Sequence, residues 1–450
     1  MSHPIHECIV RDEMRDSPTM SAAAMAEAAK ARGKKVEVVT VGDLFPKPTQ
    51  AEVEGWLASL LTDSKNPAHA ADEKFKTLRD PSKLYAYSET TGLPSLRATV
   101  AECFTRDTGL AVTAAEACIG TGGKGALNGA LAIFKPGDVV LLAAPGWPTN
   151  YDMFPAGVKL VEIATGDGIL RATDLEAALT RYPDPAAILI NAPCNPTGAN
   201  YTAAEREAFF EAVSKHTTRT VVLSDDPYGK LVFTEPYHVA TVLNRGAAER
   251  ALFAQGRVAV FRTVSKEYGL AGLRVGFVLS KHKAMVASLK KWNESKGGGM
   301  GVEDQLKAQA ALLYGDAFIT RTVALLMEKR QLLMEGIAAL KTARMEAPRG
   351  TIYGWVDFAG LKGKTVPANI SQTGAAYVID SPAAMMQYLV NVAGVCGVSG
   401  TPFYAPDSPA ADADWHVRIS FCGETAQLKA VVANLAEAEK KLVSGNSQAA

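Results

Sequence analysis

Short apolar segments recur along the middle of the chain and alternate with stretches of helical spacing. Val139 to Ala143, Ala187 to Asn191, Val221 to Ser224 and Val258 to Phe261 are the clearest examples. Strands that are apolar on both faces are typical of a parallel sheet covered by helices on its two sides. The pattern therefore predicts an α/β fold with a mainly parallel, seven-stranded sheet between layers of helices.

A second, smaller α+β unit is expected outside this sheet. A glycine-rich break at Ser295 to Gly301 precedes one long helical pattern from Glu303 to about Leu340, and short strands and helices follow it. We expect an N-terminal arm and small-domain segment at 1–50, a large ligand-binding domain at 51–325 and a C-terminal small domain at 326–450.

Composition narrows the possible partners. The 47 basic and 47 acidic residues balance without long runs of one sign, which argues against nucleic acid and membrane surfaces and favours a small molecule. No apolar run resembles a signal peptide or a membrane span, so a cytoplasmic protein is expected. The cysteines and histidines lack metal-ligand spacing, so no metal is expected, and the N-terminal pair His3 and His6 is expected in a disordered segment.

Unusual side chains follow four of the predicted strands, where ligands of open α/β sheets bind. They are Trp147, Asn195, the pair Asp225 and Tyr228, and Lys266. They supply a flat stacking surface, a hydrogen bond for a phenolic oxygen, an anion for a ring nitrogen and an amine for an aldehyde. An acid beside a pyridine nitrogen keeps that nitrogen protonated, and an amine forms an imine with an aldehyde.

A phosphate site is predicted close to these residues. The run Gly122-Gly123-Lys124-Gly125 precedes a helix, where free amide groups attract anions. Hydroxyl and guanidinium groups flank Lys266 in the sequence. The candidate phosphate ligands are Gly122, Gly123, Lys124, Thr263, Ser265 and Arg274.

Each motif taken alone has an ordinary structural explanation: a solvated lysine, a turn cap, a core tryptophan or an ion-paired arginine. The ordered set is more specific. Asn195-Pro196-Thr197-Gly198, Asp225-x-x-Tyr228, Ser265-Lys266 with Arg274 eight positions later, and Arg418-Ile419-Ser420-Phe421 resemble the signatures of class I/II aminotransferases. These are pyridoxal-phosphate enzymes of the aspartate aminotransferase fold, fold type I.

The resemblance implies a role for each cofactor residue. Lys266 would form the imine with pyridoxal 5′-phosphate and shuttle the substrate's α-proton. Asp225 would pair with the pyridine nitrogen, while Asn195 and Tyr228 would bond the phenolate oxygen. Trp147, in a Pro-Gly-Trp-Pro context, would stack on the ring.

The resemblance also implies a substrate site and a dimer. Arg418 would bind the substrate α-carboxylate through two parallel hydrogen bonds, beside Gly42, Asn195 and Trp147. Tyr87, in a segment that ends at Gly92, resembles the tyrosine that reaches the phosphate of the neighbouring subunit. A homodimer with shared active sites is therefore expected.

Three departures from the family pattern are visible. Asp226-Pro227 stands where an acidic and a branched apolar residue are usual, and Lys124 replaces a small residue. The segment 359–377 is longer than is usual in the family and is expected near the substrate arginine.

These residues predict an amino-acid aminotransferase that moves an amino group from an L-amino acid to a 2-oxo acid such as 2-oxoglutarate by ping-pong kinetics. The segment 293–299 lacks the arginine that dicarboxylate users carry, so aromatic, neutral or broad donors are favoured, although Lys296 could replace that arginine. A lyase or decarboxylase on the same scaffold is an alternative. A cofactor-binding regulator is a remote one, because only about 40 residues precede Gly42 and no basic patch is present.

Overall fold

The computed structural model describes residues 5–9, 17–62, 84–233, 245–297 and 299–447. The strands are β1 (Ile5–Ile9), β2 (Glu37–Val38), β3 (Ala117–Thr121), β4 (Val139–Ala144), β5 (Lys159–Ala164), β6 (Ala187–Asn191), β7 (Val221–Asp225), β8 (Val258–Thr263), β9 (Val275–Ser280), β10 (Arg344–Met345), β11 (Tyr353–Asp357), β12 (Thr365–Val366), β13 (Tyr377–Val378), β14 (Val395–Cys396), β15 (Val398–Ser399) and β16 (His416–Ser420). The α-helices are α1 (Pro18–Ala31), α2 (Gln50–Thr62), α3 (Pro94–Thr108), α4 (Gly122–Leu131), α5 (Ala172–Arg181), α6 (Ala203–His216), α7 (Ala247–Ala254), α8 (Val264–Glu267), α9 (Lys283–Trp292), α10 (Val302–Tyr314), α11 (Asp316–Ala338), α12 (Pro382–Tyr388), α13 (Pro409–Asp412) and α14 (Thr425–Ser447).

The large sheet has eight strands in the order β1-β5-β4-β6-β7-β8-β9-β3. Strands β5, β4, β6, β7 and β8 are parallel neighbours, whereas β9 runs antiparallel to both β8 and β3. The α/β, mainly parallel sheet expected from the apolar segments is confirmed, and its seven predicted strands are β3 to β9.

Alternate residues of the central strands enter different hydrophobic cores. Leu141, Ile188 and Val222 belong to one core cluster, and their chain neighbours Leu142 and Leu189 belong to the other. A strand that buries both faces needs apolar residues at every position, and this explains why these strands are continuous apolar runs rather than alternating ones.

The N-terminal residues do not follow the sequence expectation. His6 lies in β1, which pairs with β5 through the antiparallel register Ile5↔Ile163 to Ile9↔Lys159; His3 lies outside the described residues. The Glu7 carboxylate also lies 2.5 Å from the Lys159 ammonium. The expectation of disorder was wrong for His6 because main-chain pairing to a sheet edge requires no apolar run.

A second sheet carries the predicted substrate arginine. Its order is β10-β11-β16-β15, and Arg418 of β16 lies opposite Trp355 of β11 and Val398 of β15. The N-terminal strand β2 pairs in parallel with β14. Segments from both ends of the chain therefore build the region around this sheet.

The expectation of a single long helix was wrong in detail. The single long helix is two helices, α10 and α11, bent by 75° at Gly315, where a side chain would collide with Tyr268. Residues 359–377 include β12, which pairs with β13, and none of them lines the cavities described below. No single described helix is long and apolar enough to cross a bilayer; only α10 and α11 together pass that test, by length and composition.

Candidate active site

Polar side chains end three adjacent strands of the large sheet. Asn191 ends β6, Asp225 ends β7 and Thr263 ends β8, and Asn191 lies in register with Asp225. They border a cavity of about 280 Å³ at the carboxyl edge of the sheet. The sequence-predicted residues that line it are Gly42, Gly123, Lys124, Trp147, Asn195, Asp225, Tyr228, Thr263, Ser265, Lys266, Arg274 and Arg418.

Lys266 lies in the short helix α8, directly after β8. Its ammonium group donates a 2.5 Å hydrogen bond to the carbonyl oxygen of Gly42. The next residue, Glu267, is buried and accepts bonds of 2.6 and 2.7 Å from Arg262, and another from the backbone N–H of Lys230. These buried bonds fix the backbone of α8, so the amine projects from a rigid base into the cavity.

Asp225 is a carboxyl group whose neighbour in the chain, Asp226, is also acidic. It is 5% exposed, and the Asn191 side-chain amide donates to its carbonyl oxygen at 2.8 Å and to its carboxyl group at 3.3 Å. Burial, and then the charge of Asp226, raise the pKa of Asp225 to about 8. Arg245 and Ser224 bind Asp226 instead.

Within the described part of the chain no lysine or arginine forms an ion pair with Asp225. A buried carboxylate is stable only with a positive partner or hydrogen-bond donors. Asp225 therefore fits a protonated ring nitrogen.

The other end of the cavity is suited to a phosphate. Helix α4 begins at Gly122, whose left-handed backbone (φ +70°) donates its N–H to the carbonyl of Arg274 at 2.7 Å. Arg274 is itself left-handed, at φ +53°. A β-carbon at Gly122 would overlap the Arg274 guanidinium, so glycine allows the cation to lie over the helix N-terminus, where anions are stabilised. The Thr263 and Ser265 hydroxyls lie 2.8 Å apart beside it.

Lys124 and Trp147 form one wall of the cavity. The Lys124 ammonium lies 5.3 Å from the centre of the Trp147 ring, within cation–π range. Burial lowers the pKa of Lys124. The tryptophan offers a flat surface to an aromatic ligand, and the lysine adds positive charge at the same wall.

Arg418 reaches the cavity from the second sheet and is held on several sides. One guanidinium nitrogen donates to the Asn195 side-chain oxygen at 2.7 Å, and the other donates to the Thr40 carbonyl at 2.9 Å. The Tyr353 ring centre lies 4.1 Å from the guanidinium carbon. The side chain is buried, so its charge is poorly screened and attractive to a carboxylate.

Six lining residues were not among the predicted site residues: Thr19, Leu127, Asn191, Pro227, Ala271 and Tyr353. Two of them, Asn191 and Tyr353, are polar groups beside the predicted cofactor ligands. Asn191 ends β6, so the rule that polar residues follow strands could have identified it. Tyr353 begins β11 of the second sheet and reaches the cavity only through tertiary packing; no sequence motif marks it. Of the predicted site residues, Gly122 lies behind the phosphate end, and Tyr87 lies outside the cavity with 98% exposure.

A larger cavity of about 1150 Å³ adjoins the first and shares Thr19, Lys124, Trp147 and Arg418 with it. Its additional walls include Phe403, Tyr404 and Lys296. Among the residues that the structure describes, no three histidine, cysteine, aspartate or glutamate side chains form a group that could hold a metal ion.

One cavity therefore combines a lysine amine, a buried acid without an ion-pair partner among the described residues, and an anion site, and these are the groups that a pyridoxal-phosphate enzyme requires. Comparisons with known proteins agree. The family model for aminotransferase class I and II matches residues 58–435. The aspartate/prephenate aminotransferase of Cereibacter sphaeroides is 32% identical over 323 residues, which cover 70% of this chain and 76% of the relative.

A second relative, the aspartate aminotransferase of Rhizobium meliloti, is 28% identical over 79% of this chain and 82% of its own length. The crystal structure of an aspartate aminotransferase from Rhizobium meliloti superposes with a TM-score of 0.77 and 25% identity, covering 95% of this chain and 97% of that chain. The chain belongs to the class I and II aminotransferase family. It is a pyridoxal-phosphate-dependent aminotransferase.

Proposed function

We propose that the protein moves an amino group from an L-amino acid to a 2-oxo acid, with 2-oxoglutarate as acceptor, in a ping-pong cycle. One observation carries the proposal: the Lys266 amine, the Asp225 carboxyl group and the Arg418 guanidinium line the same cavity of about 280 Å³. Transamination of an amino acid requires three groups: an amine that moves the α-proton, an acid that keeps the ring nitrogen protonated, and a cation that binds the substrate carboxylate.

Pyridoxal phosphate, when bound, supplies a ring that accepts the electrons left by loss of the α-proton. Lys266 would hold the cofactor and carry the proton from and to the α-carbon. Asp225 would keep the ring nitrogen charged, and Asn195 and Tyr228 would bond the phenolate oxygen. The phosphate ligands would be Thr263, Ser265, Arg274, Lys124 and the amide of Gly123. The Gly122 N–H donates to the Arg274 carbonyl, so Gly122 would contribute by holding Arg274 in place.

Arg418 would fix the orientation of the substrate. A guanidinium fork binds a carboxylate through two parallel hydrogen bonds, which fixes the direction of the Cα–H bond. The bonds from Arg418 to Asn195 and Thr40 limit its rotation. Trp147 would stack on the cofactor ring, and Gly42 would lie beside the substrate carboxylate.

Donor specificity is proposed to be aromatic, neutral or broad. The larger cavity beside Arg418 has aromatic walls, including Phe403 and Tyr404, and enough volume for a large side chain. Lys296, 4.8 Å from the Trp292 ring centre, is a cation at its rim. The relatives named for aspartate and prephenate act on acidic compounds, and a broad range that includes acidic donors agrees with the two lysines, Lys124 and Lys296.

We also propose a homodimer with shared active sites. Tyr87 is 98% exposed on the single chain, which suits a side chain that completes a neighbour's phosphate site. For the domains, we propose a small domain from 1–50 and 326–450 and a large one from 51–325. The pairing of β2 with β14 supports the first grouping, although β1 pairs with the large sheet.

The test of this function uses the holoenzyme and one amino donor without an acceptor. We expect one equivalent of 2-oxo acid per active site and conversion of the cofactor to its amino form, which 2-oxoglutarate then reverses. Double-reciprocal plots at several acceptor concentrations should be parallel. Lys266→Ala is the control, and it should lower the rate of 2-oxo acid formation by a factor of about 10² to 10⁴.

Other outcomes would contradict the proposal. Continuous release of ammonia or carbon dioxide without an acceptor would identify a lyase or a decarboxylase, and intersecting plots would exclude a ping-pong order. A panel of phenylalanine, alanine and aspartate tests the donor range. A kcat/KM for aspartate more than about 100-fold above the other two would contradict broad specificity.

A further inference from the structure

The Tyr353 side chain lies against three residues of the candidate site: Tyr228, Arg418 and Gly42. Its hydroxyl lies 3.3 Å from the hydroxyl of Tyr228, and the two rings meet edge to face with centres 5.9 Å apart. Its ring faces the Arg418 guanidinium at 4.1 Å. Gly42, whose carbonyl binds Lys266, approaches so closely that a β-carbon there would overlap the Tyr353 hydroxyl.

The backbone that places Tyr353 is strained. Thr351, two residues earlier, is fully buried and has φ +68°, a conformation that β-branched residues rarely adopt. Its N–H donates to the Leu231 carbonyl at 2.8 Å, and its hydroxyl accepts from the Tyr353 N–H at 3.2 Å. Strain of this kind persists where the surrounding structure requires one geometry.

The same turn is bonded to the Asn195 segment. The N–H groups of Arg349 and Gly350 donate to the Gly198 carbonyl at 2.8 and 3.1 Å. The turn before Tyr353 is therefore attached to the segments that carry Tyr228 and Asn195. The position of the Tyr353 side chain is set relative to both of them.

We propose that Tyr353 is a positioning residue with two separable parts: its hydroxyl orients the Tyr228 hydroxyl, and its ring holds Arg418. Both hydroxyls are buried, each side chain being 3% exposed. In the cofactor-free chain the Tyr228 hydroxyl donates to the Tyr353 hydroxyl. When Tyr228 donates to the cofactor's phenolate oxygen instead, the Tyr353 hydroxyl rotates to donate to Tyr228 and strengthens that bond, because hydrogen bonds in a chain polarise one another. The ring supports the guanidinium by a cation–π contact.

The proposal rests on the site roles proposed above for Tyr228 and Arg418. The hydroxyl part is tested by titrating the visible absorbance of the bound cofactor against pH. A stronger bond to the phenolate favours the deprotonated lysine linkage, so Tyr353→Phe should raise the pH midpoint by roughly 0.1 to 0.6 unit. Tyr228→Phe should raise it further. The double variant should match Tyr228→Phe, because the hydroxyl acts only through Tyr228.

The ring part is tested by the affinity for 3-phenylpropionate, a carboxylate without an amino group. Tyr353→Phe should bind it within about twofold of the wild type, whereas Tyr353→Leu should bind it about 2- to 30-fold more weakly. Tyr377→Phe and Tyr377→Leu are matched controls, because Tyr377 lies in β13 and lines neither cavity. Both controls should leave midpoint and affinity unchanged.

Several results would overturn the proposal. An unshifted midpoint in Tyr353→Phe, or an equal shift with and without Tyr228, would exclude the hydroxyl role. Equal affinities in the Leu and Phe variants would exclude the ring role. A Tyr353→Phe chain that fails to fold would assign the hydroxyl to stability instead. If Tyr228→Phe itself causes no shift, the assignment of Tyr228 fails, and this outcome is distinct from failure of Tyr353 alone.

Discussion

At the scale of single residues, two adjacent buried acids have opposite surroundings. Asp226 forms an ion pair with Arg245, which also approaches Glu249 at 3.7 Å, whereas the described residues offer Asp225 hydrogen bonds from Asn191 and no ion pair. The difference follows from strand geometry, since successive side chains point to opposite faces of the sheet. Asp225 therefore faces the cavity and can bind a ligand, whereas Asp226 forms its contacts inside the protein core.

The raised pKa of Asp225 predicts a pH dependence of the cofactor-free protein. An aspartate carboxyl group ordinarily has a pKa of 3.8, and in the folded chain burial raises the pKa of Asp225 to about 8. A raised acid pKa favours the folded state at low pH, and this contribution is lost as the pH rises from about 4 to 8. Asparagine does not ionise, so the Asp225→Asn variant does not lose this contribution. The unfolding free energy of the variant minus that of the wild type should therefore increase by at least about 1 kcal/mol between pH 5 and pH 8.

Denaturant unfolding of the two cofactor-free proteins at several pH values measures this difference. Asp380→Asn serves as the control, because Asp380 is exposed, and it should track the wild type at every pH. A difference between Asp225→Asn and the wild type that stays constant, or that falls as the pH rises, would show that Asp225 is not held in its protonated form by its surroundings.

At the scale of elements, the start of α4 depends on a backbone conformation that glycine adopts without cost. Gly122 has φ +70°, and its neighbour Gly123 lies outside the left-handed region. A β-carbon at Gly122 would displace Arg274, but one at Gly123 would make only ordinary contact with Thr263 at 3.5 Å. A side chain at position 122 would therefore disturb Arg274, whereas a small side chain at position 123 can be accommodated.

Gly122→Ala should therefore lower stability and weaken cofactor binding, and Gly123→Ala is its matched partner. A left-handed alanine costs about 1–2 kcal/mol, and movement of Arg274 removes a phosphate ligand. Thermal unfolding and the dissociation constant of pyridoxal phosphate measure both effects. Equal effects of the two substitutions on unfolding would mean that the conformation of Gly122 is not what places Arg274.

Sequence patterns identified elements whose signal is local. Strands such as β6 and β7 are apolar throughout because both faces are buried, and the residues after them are polar because they border the cavity. β1 was missed because its pairing uses the main chain. The break at Gly315 was missed because α10 and α11 are both amphipathic, so the pattern continues across it. Tyr353 was missed because only the packing of two sheets brings it to the site.

At the scale of the whole molecule, the site is assembled from both sheets. The large sheet supplies Asp225 and the segment of Lys266, and the second sheet supplies Arg418 and Tyr353. The hydrogen bond from Arg418 to Asn195 joins the two sheets at the cavity. A relative movement of the sheets would change the distance between the Arg418 guanidinium and the Lys266 amine. The packing of the two sheets therefore sets the geometry that the reaction requires.

The central claim is that Lys266 is the residue that binds the cofactor covalently. Borohydride reduction of the holoenzyme converts the linkage into a stable amine, and peptide mass spectrometry then identifies the modified lysine. We expect the modification on Lys266 alone, and none in Lys266→Ala. Modification of another lysine, above all Lys124, which lines the same cavity, would contradict the account.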